Sequence, residues 1–286
     1  MSKLIVICGP PGSGKSTVSK RFSDIGYVYI NQDDQGKEEH LKQFYIAINS
    51  NRDVIVDRMN FNKQQRSRYI NIAKQKNYNV EIIVLHESYD TCYERMLKRE
   101  NHPTIKTKED ASKALDFFFS KYERVEDSEA DEVLRVWPQN KKLDAIVCDL
   151  DGTLCNIEHR RQYVQNGNKD WRSFFLNMDK DLVNKPVMDI INKFSNTHEI
   201  VYCSGRPDSF KDKTVKWLED NNAPIGNLFM RRRNDFRQDN IIKEVILDFE
   251  LLTRYNIEFC LDDRNQVVKM FRDRGITVLQ VADGDF

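Results

Sequence analysis

Short apolar runs rich in β-branched residues alternate along the chain with longer stretches of helical periodicity. An apolar run at residues 4–8 precedes a periodic stretch at 16–24, one at 54–57 precedes 63–76, and one at 80–85 precedes 89–99. Such runs suit strands buried on both faces, and their alternation with helices predicts βαβ units around a parallel sheet. The rhythm restarts at 143–148 and continues through 200–203, 214–221, 241–255, 259–262 and 277–281, so a second α/β unit is expected there. Between the two lies an acidic stretch at 123–132, followed by Trp137-Pro-Gln-Asn-Lys-Lys142, whose proline and polar residues suit a turn. The boundary is placed near residue 140, giving domains 1–140 and 141–286. The halves share a rhythm but no repeated motif.

A length of 286 residues allows one or two domains, each large enough for its own core. Forty-five Lys and Arg balance forty-five Asp and Glu, so the chain is no polycation and any nucleic acid must be held by local patches. With 40% hydrophobic residues, 11 Gly and 7 Pro, the composition excludes a fibrous or largely disordered chain. Every apolar run falls well short of the roughly 20 residues of a membrane span. The opening Met1-Ser2-Lys3 is unlike a signal peptide, so a cytoplasmic location is expected. Cys8, Cys92, Cys148, Cys155, Cys203 and Cys260 form no CxxC pair and read as reduced packing residues; a thiol nucleophile or zinc cluster is the lesser alternative.

Gly9-Pro-Pro-Gly-Ser-Gly-Lys-Ser16 has the GxxxxGKS/T spacing and lies between the first strand-like run and the first helical stretch, where a phosphate-binding loop belongs. Gly9, Gly12, Ser13, Gly14, Lys15, Ser16 and Thr17 form the expected nucleotide cradle. Its glycines let backbone N–H groups converge on phosphate oxygens at a helix N-terminus. Lys15 would bridge the β- and γ-phosphates and Ser16 would ligate magnesium. Asp33, in Asn31-Gln-Asp-Asp34 after an apolar run, can accept the proton of an attacking hydroxyl; helix capping explains only one of the two aspartates. Asp57 ends another run and would support the metal or the acceptor. Arg95 and Arg99, four apart on one helix face before Glu100-Asn-His-Pro-Thr104, would close over a γ-phosphate, with a solvated basic face as the alternative.

Together these segments resemble the polynucleotide 5′-hydroxyl kinases, including the kinase modules of RNA ligases that repair or splice tRNA. The likeness rests on residues 31–34, on Asp57-Arg-Met-Asn60, and on Arg95 and Arg99 with Asn101-His-Pro-Thr-Ile105. It implies Asp33 as general base, Arg99 as lid arginine, and ATP or GTP as phosphate donor. Many phage members carry an arginine three residues beyond the general base to hold the acceptor phosphate. Gly36 stands there in this chain, and Arg58 is the candidate substitute.

In the second half, Asp149-Leu-Asp-Gly-Thr153 follows an apolar run directly. Asp149 can attack phosphorus to form an aspartyl-phosphate, while Asp151 protonates the leaving oxygen and later activates water. A cation must join two anions for this to happen, which magnesium and oxygen ligands accomplish. Ser204 ends a run in position to bind the phosphate, Lys243 can neutralise it, and Asp262 and Asp263 close a run as metal ligands beside Asp149 and Asp151. Alone, each reads as a turn, a solvated lysine or a cap. In this order they resemble the haloacid-dehalogenase-like phosphatases.

The likeness then spans nearly the whole chain, through Asp262-Asp-Arg-Asn-Gln-Val-Val268 and Gln280-Val-Ala-Asp-Gly-Asp-Phe286, and is to the phage polynucleotide kinase/phosphatases. The implied fold class is α/β in two domains: an N-terminal P-loop NTPase-type parallel sheet and a C-terminal Rossmann-like haloacid-dehalogenase phosphatase domain. The implied activity phosphorylates 5′-hydroxyl ends and removes 3′-phosphate or 2′,3′-cyclic phosphate ends of RNA, or of DNA. It would use Mg2+ and ATP or GTP, in a homo-oligomer working with an RNA ligase in the host cytoplasm of a phage, with no membrane partner. Glu158-His-Arg-Arg161 adds Arg160 or Arg161 as a substrate contact.

Two basic groups are candidate polynucleotide tracks: Arg231, Arg232, Arg233 and Arg237 beside Phe229 and Phe236, and Lys63, Arg66 and Arg68. Solvated surface runs are the alternative for both. The rival functions are a kinase/phosphatase for nucleotides or other small phosphoesters, and an NTP-dependent nucleic-acid-binding switch without chemistry. Asp33, Lys15, Asp149 and Asp151 argue against the switch, which needs neither general base nor nucleophile.

Overall fold

The computed structural model describes residues 1–99, 107–165 and 167–284. It divides into two compact units, Met1–Gln139 and Asn140–Phe286.

The first unit is built on five parallel strands: β1 (Lys3–Cys8), β2 (Val28–Asn31), β3 (Val54–Asp57), β4 (Asn79–Leu85) and β5 (Glu132–Val136), in the order β2-β3-β1-β4-β5. Helices α1 (Lys15–Asp24), α2 (Gln32–Gln35), α3 (Glu39–Asn49), α4 (Lys63–Gln75), α5 (Tyr89–Leu97) and α6 (Lys108–Lys121) make the connections. Leu4, Ile5, Val6, Ile7 and Cys8 are all inaccessible to water, because β1 lies at the centre of the sheet with both faces covered. Parallel strands put every strand's carboxyl end on one edge, and that edge carries the loops after β1, β2 and β3.

The acidic stretch at 123–132 lies within this unit, on the first-domain side of the expected boundary, and leads into a strand that its hydropathy does not announce. β5 pairs in parallel with β4, its residues alternating between exposed and half-buried as an edge strand requires. Glu129 is buried and receives a fork from Arg66, Nε to Oε2 at 2.7 Å and Nη2 to Oε1 at 2.8 Å. The same guanidinium donates to the carbonyls of Asn60 and Glu123. Arg66 is therefore a buried tie, and the expectation that it guides an acceptor strand is corrected; Lys63 and Arg68 remain exposed on α4.

The second unit has five parallel strands, β6 (Leu143–Cys148), β9 (Glu199–Pro207), β10 (Gly226–Arg231), β11 (Tyr255–Asp262) and β12 (Val278–Gln280), in the order β10-β9-β6-β11-β12. An antiparallel pair, β7 (Cys155–Asn156) and β8 (Leu182–Val183), brackets α7 (Glu158–Arg161) and α8 (Trp171–Leu176). Helices α9 (Lys185–Phe194), α10 (Lys211–Asp220), α11 (Asp239–Ile246) and α12 (Asn265–Asp273) complete the unit. The helix expected over 241–255 is shorter: α11 ends at Ile246, one wide turn covers Leu247–Leu251, and β11 starts at Tyr255. All six cysteines are free and buried. Among the described residues no helix is long and apolar enough to cross a membrane.

Replacing Arg66 by Met should leave Glu129 charged and unpaired in the core. The expected cost is about 3–5 kcal/mol, read as a lowered urea midpoint of the first unit, whereas a midpoint within error of wild type would show the pair to be dispensable.

Candidate functional site

At the edge of the first sheet the chain turns sharply after β1. Gly12 and Gly14 have φ of 82° and 94°, and a Cβ on Gly12 would lie 2.5 Å from the Cys92 carbonyl oxygen of α5. Only glycine fits that approach. Gly9 donates its N–H to the Met59 carbonyl, and Asn60 donates Nδ2 to the Ile7 carbonyl at 2.7 Å, so the loops after β1 and β3 hold each other. Lys15 folds back to donate to the Pro10 carbonyl at 2.7 Å. Burial holds its pKa below the usual lysine value, against the pull of Asp57 and with a contribution from the nearby charge of Arg99. The buried Ser13 hydroxyl has no hydrogen-bond partner, as expected of a group reserved for a phosphate oxygen. Ser16 is half-buried and Thr17 exposed in the first turn of α1.

Asp33 is exposed on α2, with its N–H capped by Asn31 Oδ1 at 2.7 Å. Asn31, at the end of β2, is thus the cap, and both aspartate side chains stay available. Asp57 is buried and accepts the Tyr29 hydroxyl at 2.8 Å. Arg58 donates to the Tyr69 hydroxyl at 2.9 Å, which also bonds His40 Nε2 at 3.0 Å, while His40 Nδ1 bonds the Gly36 carbonyl at 2.8 Å. Arg58 is therefore fixed, through Tyr69 and His40, to the end of the helix that carries Asp33. Arg95 pairs with Glu87 at 2.8 Å, while Arg99 is exposed just after α5. The lid residues Glu100 to Ile105 lie outside the described residues.

The second unit gathers acids at the same kind of edge. Asp149 follows β6, Asp262 ends β11 and Asp263 comes next, and oxygens of all three lie within 4.8 Å of one another. Lys243 of α11, itself buried, donates to Asp149 Oδ1 at 2.7 Å and to Asp262 Oδ2 at 2.8 Å. Burial pushes the pKa values of Asp149 and Asp262 up, and that of Asp263 up to about 7, as expected for crowded buried acids with one lysine between two of them. Three hard oxygen donors in excess negative charge fit a divalent cation such as Mg2+. A cavity of about 360 Å3, lined by Gly152, Asn184 and Asp263 among others, opens on the Asp263 side of the trio. Backbone fit is tight here: φ is 88° at Gly152, and a Cβ there would lie 2.1 Å from Asp263 Oδ2.

Asp151, expected among the metal ligands, has its side chain elsewhere. Its Oδ1 accepts Arg160 Nη2 at 2.5 Å and Arg206 Nε at 2.9 Å. Asp181, a residue the sequence did not single out, accepts from the same two arginines. Burial works to raise the Asp151 pKa, but the Arg206 and Arg160 guanidiniums overcome it and hold the carboxyl well below the usual range. Ser204 is buried on β9, and its Oγ accepts the Arg206 N–H at 3.2 Å. Asp239, also unforeseen, lies 3.5 Å from Lys243 and 3.3 Å from Arg231, and its carboxylate leaves no room for a Cβ on Gly205.

Most of the basic strip at 231–237 is structural. Arg231 donates to the carbonyls of Gly205, Asp235 and Arg237, and Arg237 pairs with Asp235 at 2.6 Å. Phe229 is packed against the core, whereas Arg233 and Phe236 are exposed. The expectation of a continuous basic and aromatic track is corrected to these two side chains.

An aspartate pair after a central parallel strand, a lysine across it and further acids at the neighbouring strand end define a site of the aspartate-phosphatase class. The family model described as the polynucleotide kinase PNKP phosphatase domain matches residues 143–286, half the chain, and the chain belongs to that family. A model described as an AAA domain matches residues 35–121. A protein of Autographa californica nuclear polyhedrosis virus, named "Putative bifunctional polynucleotide kinase/RNA ligase", is 28% identical over 98% of this chain and 42% of its own length. One of Acanthamoeba polyphaga mimivirus, named "Putative bifunctional polynucleotide phosphatase/kinase", is 36% identical over 31% of this chain and 21% of its own. The chain thus spans less than half the length of these curated relatives. A chain from the structure of the Pnkp1/Rnl/Hen1 RNA repair complex aligns over 100% of this chain and 97% of its own, with 26% identity and a TM-score of 0.45.

Magnesium should raise the melting temperature of the second unit by mass action. Asp263→Asn should raise the melting temperature of metal-free protein by relieving repulsion and should remove most of the magnesium increment. An undiminished increment in the variant would take Asp263 out of the site.

Proposed function

We propose that the chain is a bifunctional end-healing enzyme that phosphorylates 5′-hydroxyl ends and dephosphorylates 3′ ends of polynucleotides, RNA first among them. The observation that carries the reading is the trio of Asp149, Asp262 and Asp263, with Lys243 bridging the first two, beside an arginine-held Asp151, in a chain that also has a complete phosphate-binding loop. Residues 1–139 would be the kinase and the remainder the phosphatase.

In the phosphatase, the terminal phosphate enters between the acids and the arginine pair. Bound Mg2+ would supply the charge that lets an anionic carboxylate meet an anionic phosphate. Lys243 orients Asp149 through Oδ1 and offsets part of the local negative charge. Asp149 attacks phosphorus, the bond from phosphorus to the ribose 3′-oxygen breaks, and Asp151 gives that oxygen its proton. Water then attacks the aspartyl-phosphate, with Asp151 taking the water's proton, and Asp149 and inorganic phosphate are released. Arg160 and Arg206 keep Asp151 ionised while the site holds no phosphate. An incoming phosphate competes for both guanidiniums, which lets the Asp151 pKa rise toward the value an acid needs. Ser204 would hold a phosphate oxygen.

In the kinase, Gly9, Gly12, Ser13, Gly14, Lys15, Ser16 and Thr17 would cradle ATP or GTP. Asp33 would take the proton of the 5′-hydroxyl as its oxygen attacks the γ-phosphorus and the nucleoside diphosphate leaves. Arg99 would close on the transferred group from the lid, with Arg95 beside it. Healed ends are what an RNA ligase requires, so partnership with a ligase follows from the chemistry, and the baculovirus relative's printed name couples the two activities. A homo-oligomer is part of the same proposal.

The test is a short RNA with a 5′-hydroxyl and a 3′-phosphate, incubated with magnesium and γ-labelled ATP or GTP. Lys15→Ala should abolish labelling and spare phosphate release, and Asp149→Ala should do the reverse, each loss exceeding about a thousandfold. Turnover of free nucleotides with both RNA ends unchanged would favour the small-molecule rival instead.

A further inference from the structure

Trp171 and Phe175, between β7 and β8, form an aromatic cluster with Phe210, which follows β9. Trp171 is 48% exposed, and its ring stacks on Phe175 with centroids 6.2 Å apart and planes 26° apart. Phe175 in turn meets Phe210 at 5.4 Å. Both phenylalanines are half-buried. A large exposed indole over two further accessible rings is unfavourable in water unless something covers it.

The cluster is joined to the phosphatase site at both ends. Phe174, buried beneath Trp171 at 5.8 Å, lies under the Arg160 guanidinium, whose carbon is 4.1 Å from the ring centroid. Arg160 holds Asp151. On the other side, the Phe210 carbonyl accepts the Thr214 hydroxyl at 2.9 Å, and Thr214 bonds Arg206, the second arginine on Asp151. The rings are therefore linked by contact to both arginines that hold Asp151. In the phosphatase reading Asp151 gives the leaving oxygen its proton, so the rings connect to the residue that would meet the leaving strand. Exposed Lys169, Arg172 and Lys211 flank the rings and can meet an anionic backbone, with Asp170, Asp208 and Asp212 exposed among them, so the rings rather than net charge carry the contact.

We propose that Trp171, Phe175 and Phe210 form a stacking platform for the bases next to the 3′-phosphate of a single-stranded polynucleotide. The inference rests on the phosphatase reading above and adds what makes a polynucleotide, rather than any phosphoester, the preferred substrate. Every base has a π-face, so the platform holds the strand without reading its sequence. It also favours an unpaired 3′ end, because a base stacked in a duplex has no free face to offer.

The full chain is assayed on a short 3′-phosphorylated RNA, its DNA counterpart, and an aryl phosphate that carries no base. Trp171→Ala should lower the ratio of kcat/KM for RNA to kcat/KM for the aryl phosphate by about tenfold or more, chiefly through KM, and Phe210→Ala should act in the same direction. Trp171→Phe should restore most of the ratio. The DNA arm should fall with the RNA arm, because stacking does not use the 2′-hydroxyl. An unchanged ratio in both alanine variants overturns the platform, as does an equal loss on all three substrates. A changed oligomeric state with an unchanged ratio also overturns it and assigns the rings to a protein contact. Wild-type protein that hydrolyses the aryl phosphate but neither oligonucleotide refutes the polynucleotide reading itself, a result independent of Trp171.

Discussion

Carboxylates held out of water at one sheet edge repel one another, and the second unit is arranged around that repulsion. Asp149, Asp262 and Asp263 come together because β6 and β11 are parallel neighbours whose carboxyl ends coincide. Desolvation and mutual repulsion raise the cost of charging all three. Lys243 answers part of this from α11, and the charge it leaves unbalanced suits a divalent cation. The glycines follow from the same constraint. Gly152 and Gly205 are glycines because carboxylates of Asp263 and Asp239 occupy the space where a Cβ would lie.

Asp151, two residues from Asp149, answers the opposite problem. In the proposed reaction Asp151 gains and loses a proton, which a carboxylate in the field of three other acids, and so held protonated, could not do. The fold turns it away into a buried quartet with Arg160, Arg206 and Asp181, where two cations face two anions. One motif thus places two aspartates in opposite electrostatic surroundings, Asp149 among acids and Asp151 between two guanidiniums, which is the separation the proposed division into nucleophile and acid requires.

Motifs tied to a backbone turn were legible in the sequence, because their chemistry is local. The phosphate-binding loop, the Asp149-Leu-Asp-Gly-Thr153 turn and the paired acids after β11 each sit at the end of an apolar run, and the run fixes the edge on which they emerge. Arg160 was named with Arg161, but nothing along the chain distinguishes the one that reaches Asp151 from the one that pairs with Glu158. Asp181 and Asp239 were not visible, since their partners are set by packing between distant segments. β5 was not visible for a related reason: it is short, charged and at a sheet edge, so its hydropathy resembles that of a turn.

The basic runs show why charge patterns mislead. Arg66 and Arg231 lie among neighbouring cations and read as surface, yet each guanidinium is taken up by backbone carbonyls and a buried carboxylate. Arginine suits that role because its planar fork satisfies several acceptors at once, which a lysine cannot do. A run of arginines therefore counts potential donors without saying whether water, a nucleic acid or the chain itself will use them. In this fold the chain claims most of them. In the proposed reading, attraction for a polynucleotide comes from what the core does not consume, such as exposed Lys63 and Arg68 on α4, Arg172 on α8, Lys211 on α10, Arg233, and the accessible rings of Trp171 and Phe236.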